Sequence, residues 1–410
     1  MKCRFSHKKI PSLLSFGKMP LGNGFIDDND LSKDEFLYDM NIAVNSEIGL
    51  IQLENQPLPS EMFHDQYAFF SRTSNFMKSH FKNMAQEITH ILQDEFPSDL
   101  DPFIVEIGSN DGVMLEHLVK DKVNCLGVEP SINVAKESNK YGVRTLNKFF
   151  SSDLSKEIKK EHAPANIIYA ANVFCHIPDI NDLAKACSNL LKDNGILIFE
   201  DPYLGDVLEK TSFDQIYDEH IFLFSVLSVD KIAKKFGLRL INLLPQETHG
   251  GSMRYVITKQ KNDRNVSIIV KKYLSKEKKQ NLHNLRSCIN FKKKCFRLKK
   301  NLREKLISFK KQGKKVCGYA ATSKSTTILN FCKIGPDLIK FITDTTKEKI
   351  GKFSPGMHIP IINHKNFINE KVDIAVLFAW NHKKEILKNE RRFKSLKGKW
   401  LTFFPNIKVW

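Results

Sequence analysis

Acidic residues are scarce in this chain: 46 Asp and Glu stand against 64 Lys and Arg, for a formal net charge of +18 over 410 residues. No apolar run approaches the roughly 18 to 20 residues that cross a bilayer. The opening MKCRFSHKKIPSLL is basic, but its apolar stretch is too short for a signal peptide and no small-residue cleavage site follows. These absences predict a cytoplasmic protein. Eight cysteines scattered through apolar segments make no disulfide framework and read as reduced core thiols. Neither Gly-x-Gly-x-x-Gly nor a Gly-Lys-Ser/Thr phosphate loop follows the first strand of the alternating region, so neither dinucleotide fingerprint nor P-loop is present. What is there, 41% hydrophobic and 27% charged residues, is the composition of a folded globular protein. The length suits two to three domains of about 150 residues each.

The positive charge is concentrated. Residues 271–315 hold 18 Lys and Arg against two acids, Glu277 and Glu304, which is +16 of the chain's +18. Such a block serves a nucleic-acid or membrane surface in some proteins. Here Leu282, Leu285, Cys288, Phe291, Cys295, Leu298, Leu302, Leu306 and Phe309 recur at three- and four-residue steps. That is the stripe of a long amphipathic helix with a solvated lysine face, and no aromatic residues are interleaved for base stacking. The expectation is no nucleic acid and no membrane partner.

Along the chain, residues 1–68 read as a small turn-rich or β module, with LGNG at 21–24 and prolines at 11, 20, 57 and 59. A helical pattern runs from Phe69 to Glu95, and PSDLDP at 97–102 breaks it. Strand and helix patterns then alternate through FIVEIG, NCLGVEP and the segments at 143–146, 166–171 and 195–200, predicting a parallel, doubly wound α/β sheet over 69–258. A basic helical connector follows over 259–315. A second, smaller Rossmann-like α/β domain is expected over 316–410, with strands at KVCGYA, KFITD and DIAVLFAW.

Where the first strand turns into a helix stands Glu106-Ile107-Gly108-Ser109-Asn110-Asp111-Gly112. Two glycines four apart allow a sharp turn and a close backbone approach to a ligand. An acid two residues before the first glycine points to a cationic ligand group, and Glu129 closes the second strand where an acid meets ribose hydroxyls. This E-x-G-x-x-x-G with a downstream acid resembles the S-adenosylmethionine (SAM) site of class I methyltransferases. The resemblance implies SAM as cofactor, held by Glu106, Gly108, Ser109, Asn110, Gly112, Glu129 and Asn172.

Four more segments narrow the resemblance: Asn172-Val173-Phe174-Cys175-His176-Ile177-Pro178-Asp179, Gln215-Ile216-Tyr217-Asp218-Glu219-His220, His249-Gly250-Gly251-Ser252-Met253-Arg254, and Gly318 to Lys324 with Ala379-Trp380-Asn381. Their order is similar to that of the nucleotide-sugar C-methyltransferases, which act at C-3 of deoxy-4-ketohexoses linked to a nucleoside diphosphate. Members carry an N-terminal zinc site from two cysteine pairs ahead of Pro-Leu-x-Asn. Here Pro20-Leu21-Gly22-Asn23 is present, but of the ligands only Cys3 remains, with His7 as a companion, and Asn45 and Ile48 stand where the second pair would be. A tetrahedral site needs four ligands, so no metal is expected.

The hydrogen at C-3 of a 4-ketosugar is acidified by the adjacent carbonyl, so such an enzyme supplies a base and a stabiliser for the enolate oxygen. The resemblance assigns the base to His220 with Glu219 orienting it, hydrogen-bond donation to the oxygen to Tyr217 and His176, and an active-site place to Tyr67. Taken singly, a histidine at a strand end is more often a structural residue than a base, and Tyr217 reads equally as a core aromatic. Asp218 and Asp179 read as surface or cap residues. For the sugar or its pyrophosphate the expectation is His249, Ser252 and Arg254, whose segment also reads as a hairpin turn, and Ser323 with Lys324. Two glycine positions of the family's last motif are Ala320 and Ser325 here. The competing readings are an O- or N-methyltransferase of a sugar or small metabolite, a nucleic-acid-binding methyltransferase or binding module that uses residues 271–315, and an inactive homologue. The expected oligomeric state is monomer or dimer.

Overall fold

The computed structural model describes residues 1–65 and 67–410. Its centre is a seven-stranded sheet whose strands lie side by side in the order Thr145–Leu146, Asn124–Val128, Phe103–Ile107, Ala165–Ala171, Leu191–Pro202, Ser252–Lys259, Leu238–Gln246. All run parallel except Ser252–Lys259, which is antiparallel to both neighbours. Phe103–Ile107 is buried at every position, because helices cover both faces of the sheet. One of these is Asn75–Glu95, N-capped by Ser74 Oγ, which accepts from the Met77 amide. It begins six residues later than the sequence pattern suggests, since residues 71–73 form a 3-10 turn instead. On the other face, Ile180–Leu190 is capped by Asp179, whose carboxylate accepts from the Asn181 and Asp182 amides. Chain order reverses between Phe103–Ile107 and Ala165–Ala171. At that switch point the strand ends open a crevice.

The N-terminal part is a four-stranded antiparallel sheet, ordered Ser12–Met19, Tyr38–Asn45, Leu50–Leu53, Phe222–Phe224. Its fourth strand comes from the middle of the chain, two residues after His220. The C-terminal sheet has the order Ile361–Asn363, Ile342–Asp344, Val316–Tyr319, Ile374–Leu377, Lys399–Thr402, Lys408–Val409, parallel except for the last pair.

The three parts share one core. Phe16 of the first sheet, Phe213 beside the central one, and Phe331 and Phe404 of the C-terminal part meet at ring-centroid distances of 4.8 Å (Phe16 to Phe331), 5.2 Å (Phe213 to Phe331) and 5.4 Å (Phe213 to Phe404). Each such pair adds roughly 0.5–1.5 kcal/mol beyond area burial. The helix Leu285–Lys311 buries Cys288, Phe291, Cys295, Leu298, Leu302, Leu306 and Phe309, whereas Leu285, at its first turn, points outward at 41% exposure. All eight cysteines are free thiols and buried.

Candidate active site

The cofactor loop leaves the strand Phe103–Ile107 through three left-handed residues, Gly108 (φ 66), Asn110 (φ 50) and Gly112 (φ 70). A Cβ at Gly108 would sit 2.3 Å from Val173 Cγ2, so no side chain fits there. Glu129 fixes the loop: one carboxylate oxygen accepts from the Asn110 amide at 3.1 Å, the other from the Ser131 amide at 2.8 Å. Burial pushes the Glu129 carboxyl up, and these two amides pull it back toward the anion. Segment 67–72 folds over the loop. The Ser71 amide donates to Asn110 Oδ1 at 2.8 Å, and the Arg72 amide to Asp111 Oδ2 at 2.9 Å. Around this turn Glu106 Oε2, Ser109 Oγ, Asp111 Oδ1 and Asn172 Oδ1 are buried without a hydrogen-bond partner. Such groups are costly unless a ligand completes them; three are acceptor oxygens and the Ser109 hydroxyl can also donate, a set that fits the ammonium and hydroxyl donors of SAM.

Across the crevice, residues 217–220 form the turn between the 3-10 segment Phe213–Gln215 and the strand Phe222–Phe224. The Tyr217 hydroxyl lies 2.7 Å from His220 Nε2, and His220 Nδ1 lies 2.8 Å from the Gln215 carbonyl oxygen. A carbonyl only accepts, so Nδ1 carries the proton, Nε2 is the lone-pair nitrogen and Tyr217 is the donor. Burial holds the His220 imidazole well below its ordinary pKa, with His176, His249 and Lys324 adding repulsion. His176, 5.2 Å away ring to ring and stacked on Phe63, is pushed down to about 3 by burial, and its Nε2 has no partner.

Glu219 does not touch His220. Its carboxylate accepts from Asn23 Nδ2 at 2.7 Å and from the Tyr67 hydroxyl at 3.0 Å, while the Gln215 carbonyl takes the orienting place expected of it. Asp218 is not a surface residue: it is 2% exposed and accepts from the Gly22 amide at 3.0 Å. Thus the Pro-Leu-Gly-Asn segment, already visible in the sequence, supplies a contact that sequence reasoning did not assign to Asn23. Asp201, which receives the Cys175 amide at 3.0 Å, is likewise new to the site.

The expected substrate residues divide. His249 (φ 52) is half-buried with Nδ1 3.3 Å from Lys324 Nζ, and its carbonyl accepts from Gln215 Nε2. Lys324 is buried facing Asp214, which accepts from Trp380 Nε1 at 2.7 Å; burial brings the ammonium down to about 8. Ser323 opens the helix Ser323–Cys332 against Gly22. Ser252 Oγ is spent on the Thr248 carbonyl at 3.0 Å. Arg254 lies inside its strand opposite Glu200, binds Glu200 Oε1 through Nε at 2.6 Å and pairs with Glu87 through Nη1. Its guanidinium is committed to the sheet face, so the anion-binding place expected of it is not where the structure puts it. A cavity of about 720 Å³ opens beside Tyr67 and Asn23, with Lys347 and Lys352 among its lining residues.

In the N-terminal sheet the residues do not fit a zinc ion. Asn45 Nδ2 donates to Cys3 Sγ at 3.3 Å and to Ser6 Oγ at 3.2 Å, and Ile48 is buried. An N–H donor and a hydrocarbon fill the places where thiolates would stand.

The strand order with its single antiparallel insertion, the glycine turn and the acid at the second strand define a class I SAM-dependent methyltransferase. Three family models match in succession: a zinc binding domain over residues 3–63, a methyltransferase domain over 80–243 and a C-methyltransferase C-terminal domain over 247–405. The C-methyltransferase NovU of Streptomyces niveus is 29% identical over 409 residues, covering 100% of this chain and 96% of that one. The chain is a SAM-dependent methyltransferase, similar over its whole length to a C-methyltransferase and in three successive parts to these models. Among solved structures, magnesium protoporphyrin IX methyltransferase from Synechocystis PCC 6803 aligns with 46% of this chain and 84% of its own, at 10% identity and TM-score 0.35. A possible histamine N-methyltransferase from Thermotoga maritima aligns with 47% and 98%, at 20% identity and TM-score 0.31. Among the described residues no helix is long and apolar enough to cross a membrane.

Proposed function

We propose that this C-methyltransferase acts on a nucleoside-diphosphate-linked 4-ketosugar, removing the C-3 proton and methylating the enolate. The observation that carries the reading is the Tyr217–His220 hydrogen bond at the outlet of the cofactor sheet, with Nε2 as its acceptor. In the proposed sequence the Tyr217 oxygen takes the C-3 proton while its own proton passes to Nε2. Imidazolium is thereby formed, with Nδ1–H still held by Gln215. General base chemistry of this kind contributes about 10²–10⁴-fold. The electron pair left at C-3 delocalises onto the 4-keto oxygen, where His176 Nε2, unpartnered and buried, is placed to donate if its Nδ1 is the unprotonated nitrogen. Bound SAM supplies an electrophilic methyl group on a sulfonium. After transfer the Nε2 proton returns to the Tyr217 oxygen as the proton that oxygen took from C-3 passes to solvent, so one proton is released per turnover.

Glu106, Gly108, Ser109, Asn110, Gly112, Glu129 and Asn172 hold the cofactor in this reading, and Glu219 with Tyr67 and Asn23 frames the sugar. Lys324 is the inner cation, beside a His249 that burial keeps neutral, and Lys347 offers a rim charge to a pyrophosphate, while Lys352 is paired with Asp27 at 3.0 Å. The cavity falls within the roughly 300–1,000 Å³ of small-ligand sites. The test is hydrogen exchange in deuterated water with a nucleotide 4-ketosugar. C-3 should exchange in the wild type, and a retained C-3 hydrogen would refute the assigned chemistry.

A further inference from the structure

The largest feature left outside the catalytic centre is the charge on the connector. Of the two acids within residues 271–315, only Glu304 reaches that surface. Glu277 is 1% exposed, and its carboxylate is taken by the Tyr203 hydroxyl and the amides of Val226 and Leu227. Glu304 lies 3.9 Å from Lys300 in an exposed pair and offsets one charge of the ridge. The other ion pairs of this block, Lys310–Asp337, Lys314–Asp373 and Lys315–Glu370, sit at its C-terminal end.

On the helix Leu285–Lys311, about 40 Å long at 1.5 Å per residue, Arg286, Lys293, Arg297 and Lys300 are exposed. Their spacings of seven, four and three put them on one ridge, opposite the buried stripe. Along one flank of that ridge Leu285, Ile289 and Phe296 are 41%, 40% and 43% exposed, themselves four and seven residues apart, with one side of the Phe296 ring against Phe331 at 5.7 Å.

We propose that this face docks the enzyme on an anionic lipid bilayer, with the cationic ridge over lipid phosphates and the apolar line at the acyl boundary. A basic helix carrying exposed Leu, Ile and Phe suits an interfacial site. A polynucleotide would engage the cations but leave Leu285 and Ile289 without a partner, and the face offers one aromatic rather than a stacking ladder. Sequence pattern alone reads the block as a solvated helix side. The burial of Glu277 and the exposed apolar flank, invisible in a linear charge count, change that reading.

The test is sedimentation of the full chain with vesicles of equal parts phosphatidylglycerol and phosphatidylcholine, against pure phosphatidylcholine. Binding is expected to the anionic vesicles alone, and should be lost when the Debye length shrinks from about 10 Å at 0.1 M salt to about 3 Å at 1 M. R286Q/K293Q/R297Q/K300Q should weaken partitioning about a hundredfold, and L285S/I289S about tenfold. Both should keep the wild-type melting curve and methyl transfer in solution. Failure to bind anionic vesicles would overturn the proposal. So would vesicle binding by L285S/I289S as tight as wild type, which together with salt-sensitive binding of duplex DNA would assign the ridge to a polynucleotide instead.

Discussion

Tyr217 and His220 form one acid–base unit, in which the phenol donates across 2.7 Å to the only imidazole nitrogen not committed to backbone. Removing either member should slow proton removal. Tyr217→Phe and His220→Asn are each expected to slow C-3 hydrogen exchange by about 10²–10⁴-fold while SAM affinity is unchanged. Residues acting as a unit are not additive, so the double variant should be no slower than the slower single one. Exchange followed by proton NMR checks both points, and multiplicative losses would mean that the two groups act separately.

Gly108 ties the cofactor turn to the strand end that carries His176. An added Cβ meets Val173 Cγ2 at 2.3 Å, and the residue sits at φ 66. Gly108→Ala should therefore weaken SAM binding by roughly 10–100-fold, the equivalent of about 1–3 kcal/mol of backbone strain and clash. Titration calorimetry reads the loss. Adding Val173→Ala should recover part of it, because the methyl groups in the way are then gone.

The α/β alternation and the glycine loop were legible in the sequence because they rest on periodicity and on backbone conformations that few residues adopt; the strand order and the antiparallel run of Ser252–Lys259 were not. The short strands Ile361–Asn363 and Phe222–Phe224 were not: three residues carry no period, and the second pairs with a strand about 170 positions earlier. Tyr217, Glu219 and His220 were visible as a group. Their bonding was not, since Glu219 is claimed by Asn23 and Tyr67, residues 196 and 152 positions away. Arg254 shows the same limit. Its type suits an anionic ligand, but its strand register sets it against Glu200.

The N-terminal sheet should be indifferent to chelators. Where relatives with intact cysteine pairs would bind zinc, Asn45 bridges Cys3 and Ser6 at 3.3 and 3.2 Å. Dialysis against dipicolinate should leave the melting temperature and methyl transfer unchanged, with no zinc by elemental analysis. Asn45→Ala should instead destabilise by about 1–2 kcal/mol through its lost buried hydrogen bonds. Unfolding on chelation would contradict this.

Buried acids set the response of stability to pH. Burial raises Asp201 to about 8 from 3.8, so between those values the folded chain holds a proton the unfolded chain has lost, and stability falls as pH rises. Burial pushes Asp218 and Glu219 in the same direction. His176, brought down to about 3, acts oppositely, but only up to its ordinary value of 6.5. Lys324, lowered to about 8 from 10.5, adds stability only above pH 8. The window from 6.5 to 8 is left to the acids, and each fully titrating group there contributes about 2 kcal/mol of loss at 1.36 kcal/mol per unit. The ligand-free melting temperature should thus drop by a few degrees between pH 6.5 and 8. Asp201→Asn, which keeps an acceptor for the Cys175 amide, should flatten that drop, and an unchanged slope in this variant would show that the carboxyl at 201 is already ionised in the folded protein.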